Sequence, residues 1–61
     1  TGTVNTSGSN LNLRSAPSVT ASIIGRIPDG STVRILNSAG AWYQVSYMGA
    51  TGYVLSDFIV V

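Results

Sequence analysis

The chain contains no cysteine, histidine, lysine or glutamate. Each absence removes a class of chemistry. Without cysteine no disulfide can staple the fold. Without cysteine or histidine a metal site would need oxygen ligands alone, and Asp29 and Asp57 are the only carboxylates, so no metal or other cofactor is expected. Nine serines are present, but no histidine or lysine can serve one of them as a base. A two-carboxylate glycosidase needs paired acids in a cleft, one with a raised pKa. Asp29 instead lies in Pro28-Asp29-Gly30, an ordinary turn setting. Asp57 lies in the first turn of a short helical segment, also an ordinary place for an acid. The inventory argues against an enzyme.

Charge is equally scarce. Arg14, Arg26 and Arg34 stand against Asp29 and Asp57, a net charge of +1. That field is too weak to steer the chain to nucleic acid or to an anionic membrane, so neither is expected as a partner. No run of 18 apolar residues exists to cross a bilayer as a helix, and no segment reads as a signal peptide. The chain does not begin with methionine. The expectation is a single domain, residues 1–61, excised from a longer exported protein. A domain this small buries only about 60% of its unfolded surface, so its stability rests on good packing.

Valine, isoleucine and threonine supply 18 residues, whereas glutamate, lysine and glutamine together supply only Gln44. No stretch of ten residues carries the i, i+3, i+4 pattern of a helix. Seven glycines and nine serines punctuate short β-branched runs. Thr3 to Thr6 reads as a weak first strand or lead-in, and Ser7-Gly8-Ser9 as a turn. Leu11 and Leu13 alternate with Asn12 and Arg14, so the leucines share one face. Pro17 stops that strand. Ile23 to Ile27 and Thr32 to Leu36 follow as strands around the Pro28-Asp29-Gly30 turn, with Val33 and Ile35 inward and Arg34 outward. Asn37 to Gly40 reads as the next turn.

The hairpin Ala41–Met48 and Thr51–Leu55 reads as closed by Gly49-Ala50 in a type II′ turn, with Val45 opposite Val54 and Ser46 opposite Tyr53. Tyr43, Tyr47 and the valines then share one face. Trp42, Gln44, Ser46, Tyr53 and Leu55 share the other. Ser56-Asp57-Phe58 reads as one helical turn capped by Ser56, with Phe58 as a core plug, and Ile59 to Val61 closes the sheet. The fold expected is all-β: a small barrel of five to six short antiparallel strands with one short helical turn near the C-terminus, closed so that few edges are exposed.

These pieces, in this order, resemble the bacterial SH3 domain family. The residues that carry the resemblance are Leu11-Asn12-Leu13-Arg14-Ser15-Ala16-Pro17-Ser18, Ile24-Gly25-Arg26-Ile27, Asp29-Gly30-Ser31-Thr32-Val33, Gly40-Ala41-Trp42-Tyr43-Gln44-Val45 and Thr51-Gly52-Tyr53-Val54. Three positions depart from the family pattern. Ala16 stands where glycine is frequent, Ala41 separates Gly40 from Trp42, and Tyr53 replaces a more frequent tryptophan. The resemblance implies an SH3-like barrel without catalytic activity, attached to a cell-wall hydrolase or another exported bacterial or phage protein. It implies an extracellular or cell-wall location and a role in holding the enzyme on peptidoglycan. Proline-rich peptide binding does not follow from the barrel alone.

The candidate ligand-binding residues are Trp42, Tyr53 and Tyr47, with Asn12, Arg14 and Gln44 as polar partners. Trp42 and Tyr53 are out of phase with Val45 and Val54, so they face away from the core. Aromatic faces there can stack on the sugars and peptide planes of peptidoglycan stems or cross-bridges. Arginine presents a planar fork of five donors suited to carbonyls and carboxylates. Each residue also has a structural reading. Trp42 can pack against a loop, or against an adjacent catalytic domain of the same chain, to cover the small barrel. Tyr43 belongs to the core, and Tyr47 can be half exposed. Arg14 can pair with Asp57 or cap carbonyls, and Asn12 can bond its own loop. The alternatives to wall targeting are an intramolecular packing or spacer domain that shapes a neighbouring catalytic domain, and a module for extended peptides.

Overall fold

A computed structural model describes residues 1–61 as one seven-stranded antiparallel sheet rolled into a small barrel. The strands are β1 (Gly2–Val4), β2 (Leu11–Arg14), β3 (Ile23–Ile27), β4 (Thr32–Ala39), β5 (Trp42–Tyr47), β6 (Ala50–Leu55) and β7 (Ile59–Val60), with a 3₁₀ turn at Ser56–Phe58 before the last. Their order across the sheet is β3-β2-β6-β5-β4-β1-β7. The all-β barrel with one short turn near the C-terminus is therefore the fold. Seven strands form where five to six are expected, and the two shortest, β1 and β7, pair with each other.

The core follows from period-two alternation. Val4, Leu11, Leu13, Ile27, Val33, Val45, Val54 and Ile59 form one buried cluster, with Ile35, Tyr43, Tyr47 and Ala50 packed against it. Each fully buried aliphatic side chain contributes about 1.5–3 kcal/mol. No disulfide supplements them, since the chain has no cysteine.

Two turns sit one or two residues away from their expected places. The β5–β6 connection is Met48-Gly49, because Tyr47 pairs with Ala50. Both turn residues have positive φ, 48° at Met48 and 84° at Gly49. That is the type I′ geometry whose twist matches the flanking strands. Gln44 therefore faces Tyr53, and Tyr43 faces Val54, where Ser46–Tyr53 and Val45–Val54 pairs are expected from the sequence. Moving the turn by one residue shifts the pairing register by two, so every side chain keeps its face. Strand β4 also runs on to Ala39, and Gly40-Ala41 makes the two-residue connection to Trp42. A bulge between Ile35 and Asn37 absorbs Leu36 in that longer strand.

Ser56 is the first residue of the 3₁₀ turn. Leu55 occupies the capping position and no side chain caps the turn. The anchor is instead main-chain: the Ser56 N–H donates to the Ala41 carbonyl at 2.8 Å. Phe58 is 38% exposed and lies outside the core cluster, so it is not the core plug that its place in the sequence implies.

Candidate functional site

On the outer face of the sheet the register sets Trp42 beside Leu55 and Gln44 beside Tyr53. Tyr53 also pairs with Arg14 on β2. Continued antiparallel, that ladder brings Asn12 toward Leu55. At this end of the sheet the outer face is not open. The β1–β2 loop and the 3₁₀ turn close over it and leave a cavity of about 300 Å³ lined by Thr6, Ser9, Asn10, Leu11, Asn12, Arg14, Trp42, Leu55 and Phe58.

Backbone and side-chain bonds hold the roof in place. Asn5 N–H donates to the Phe58 carbonyl at 2.8 Å, which ties the start of the loop to the 3₁₀ turn. The carboxylate of Asp29, on the β3–β4 turn, reaches across to the loop. Its Oδ1 accepts from the Thr6 N–H at 2.9 Å, and its Oδ2 from the Gly8 N–H at 3.0 Å. Within the loop, the Thr6 hydroxyl bonds the Ser9 carbonyl. Asp29 is thus more than an ordinary turn residue. It fixes a cavity wall, and its partners lie 21 and 23 residues away, beyond the reach of any local sequence signal.

Arg14 stands at the opposite rim. Its Nη1 donates to the Ala21 carbonyl at 2.9 Å, and the Ser15 N–H donates to the Ser22 carbonyl at 3.0 Å. These bonds hold both ends of the 15–22 excursion. Arg14 therefore caps a carbonyl, as one of its structural readings has it, and its partner is not Asp57.

Three of the six sequence-nominated residues, Asn12, Arg14 and Trp42, meet at this cavity. Trp42 lies on the outer face as its parity requires, yet only 9% of it is exposed. The loop and the 3₁₀ turn cover it, so it is a cavity floor and not an open stacking platform. Tyr53 and Gln44 share the outer face, half buried, but neither lines the cavity. Tyr47 is placed elsewhere. It packs against the core cluster on the inner face and cannot join a groove built on Trp42. Leu55 and Phe58 take the apolar places beside the indole, and Thr6, Ser9 and Asn10 add hydroxyl and amide groups. No acid lines the cavity.

A small barrel of short antiparallel strands with a lateral cavity, lined by an indole, a phenyl ring, two leucines, amides, hydroxyls and one arginine, has the build of an SH3-like domain. The chain belongs to the bacterial SH3 domain family, whose family model matches residues 9–60. Over 57 residues it is 33% identical to the protein of Bacillus subtilis (strain 168) named "Putative N-acetylmuramoyl-L-alanine amidase YrvJ", a match covering 93% of this chain and 11% of that protein. It is 34% identical over 51 residues to Bacteriocin BCN5 of Clostridium perfringens, covering 84% of this chain and 6% of the bacteriocin. Among solved structures, that of NlpC2 from Trichomonas vaginalis superposes with a TM-score of 0.88 at 31% identity, over 98% of this chain and 22% of that one. The chain thus spans between one-twentieth and one-quarter of each of these relatives.

Proposed function

We propose that the domain is a non-catalytic peptidoglycan-binding module that keeps an attached hydrolase on the bacterial cell wall. The observation that carries this reading is the cavity, where an indole, a phenyl ring and two leucines meet amides, hydroxyls and a guanidinium with no acid among them. Such a lining suits a peptide of small residues, whose carbonyls and amides need donors and acceptors while its methyl groups need apolar walls. The similarity to a protein named as an amidase of the N-acetylmuramoyl-L-alanine bond supports stem peptide as the ligand. It also supports a location outside the cell, on the wall. Each binding event need only be weak. Tethering raises the local concentration of the attached enzyme on a repetitive polymer, and avidity does the rest.

The test is retention of the purified domain on insoluble peptidoglycan, with Phe58→Ala compared at equal concentration. Retention of the parent and loss in the variant support the reading. A domain that stays in the supernatant sinks it.

A second reading has its own observation. Strand β3 is an edge of the sheet, and Ile23 and Ile24 on it are 47% and 48% exposed. A neighbouring domain of the same parent protein would cover them, and the barrel would then shape that domain's cleft. Polar replacement of both isoleucines separates the two. It leaves wall retention intact under the first reading and alters the parent's catalytic properties under the second.

A further inference from the structure

Arg14 has more donors than the fold uses. A guanidinium carries five N–H groups in one plane. One, on Nη1, is taken by the Ala21 carbonyl. That bond ties down the side chain of a residue that also lines the cavity, and no acid is among the lining residues. The two carboxylates of the chain are accounted for elsewhere. Asp29 is engaged by the Thr6 and Gly8 N–H groups on the far wall, and Asp57, exposed on the 3₁₀ turn, does not line the cavity.

A tethered arginine, half-buried as a residue and lining an acid-free cavity, is suited to attract a carboxylate. Two parallel charge-assisted bonds are the geometry in which arginine outperforms any other residue. The fold spends little to present it, because the backbone carbonyl has already removed much of the side chain's rotational freedom. We infer that the cavity recognises a free carboxylate on a short peptide of small residues, with Arg14 gripping the carboxylate and Trp42, Leu55 and Phe58 taking the adjacent apolar groups. This rests on the cavity being the wall-binding site, and it names the group that the site selects.

A stem peptide offers two such carboxylates, the α-carboxylate of its γ-linked D-glutamate and the carboxylate of its terminal D-alanine. The probes are the tetrapeptide L-Ala-γ-D-Glu-L-Lys-D-Ala, the two forms amidated at one carboxylate, and the form amidated at both. Binding is read from amide chemical-shift changes in the domain. The diacid is expected to bind about tenfold more tightly than the diamide, the scale of one lost charge-assisted contact. The mono-amide that matches the diamide identifies the source. Arg14→Gln should bind diacid and diamide equally.

Equal affinity of the unaltered domain for diacid and diamide, or no shift with the diacid at millimolar concentration, overturns the inference. So does an Arg14→Gln domain that is folded and still prefers the diacid. The comparison on the unaltered domain decides the matter even if the variant fails to fold. Retention on peptidoglycan with no acid preference leaves wall binding standing and removes the carboxylate. Acid preference without retention does the reverse.

Discussion

The carbonyl oxygen of Arg14 lies 2.6 Å from the point where a β-carbon on Gly52 would stand, and two atoms of Leu13 lie within 2.9 Å of the same point. Strand β6 can therefore come this close to its neighbour β2 only where it carries no side chain. The contact is with backbone, which cannot swing aside. Gly52→Ala is expected to cost about 3 kcal/mol in urea unfolding, at the upper end of overpacking in a tight core. Gly25→Ala is the matched control. It too lies in a strand beside Leu13, but its added carbon would meet that side chain at an ordinary 3.7 Å. It should be neutral, or stabilising by about 0.5 kcal/mol from the restricted unfolded chain.

The Met48-Gly49 turn leads to a prediction of opposite sign. Met48 holds φ at 48° and is 87% exposed, so it bears left-handed strain and buries almost nothing. Asparagine adopts that conformation at lower cost. Met48→Asn should raise stability by about 0.5–1 kcal/mol and leave the cavity at the other end of the hairpin unaltered. A thermal midpoint that falls would refute the assigned turn type.

Asp29 supplies a third test. Asp29→Asn keeps one acceptor oxygen but turns an amide N–H₂ toward a backbone donor, so one of the two bonds to the β1–β2 loop must fail. A loss of about 1 kcal/mol is expected. Hydrogen exchange at the Thr6 and Gly8 amides should accelerate well beyond that at Val45 and Val54, which lie in the core. Equal acceleration at all four would mean that Asp29 supports the whole barrel and not one cavity wall.

The alternation in β2, β5 and β6 made the faces legible from the chain alone, because side-chain parity is a local property. It is insensitive to the position of the turn, since moving the Gly49 turn by one residue shifts the pairing register by two and flips neither strand. Cover over a face is not local. Trp42 is outward by parity and buried in fact, because residues 6–10 and Phe58 fold over it through bonds that begin at Asn5 and Asp29. Tyr47 shows the other side of the same limit. Its inner-face position followed from phase with Val45, and only its place near the hairpin end drew it into the nominated site. The place of Phe58 after the helical turn reads as core, but a 3₁₀ turn at the rim puts it among the cavity's lining residues.

The buried indole and the half-exposed phenyl ring separate folding from binding. Trp42 is almost wholly covered, so Trp42→Ala should cost about 3–5 kcal/mol. A domain of 61 residues has little more than that in total, and the variant should be largely unfolded at 25 °C, revealing nothing about ligand. Phe58 lies on the cavity rim and outside the core cluster. Phe58→Ala should cost about 1 kcal/mol, because only part of the ring leaves water on folding. If the cavity is where the wall peptide docks, that variant keeps its cooperative unfolding and dispersed amide spectrum yet loses about tenfold in affinity for peptidoglycan. The unaltered domain supplies the parallel readout. Its single tryptophan should emit at short wavelength and resist acrylamide quenching without ligand, and its emission should change when peptidoglycan fragments are added. A folded Phe58→Ala domain that binds the wall as the parent does, with unchanged Trp42 emission, would move the binding surface away from this cavity.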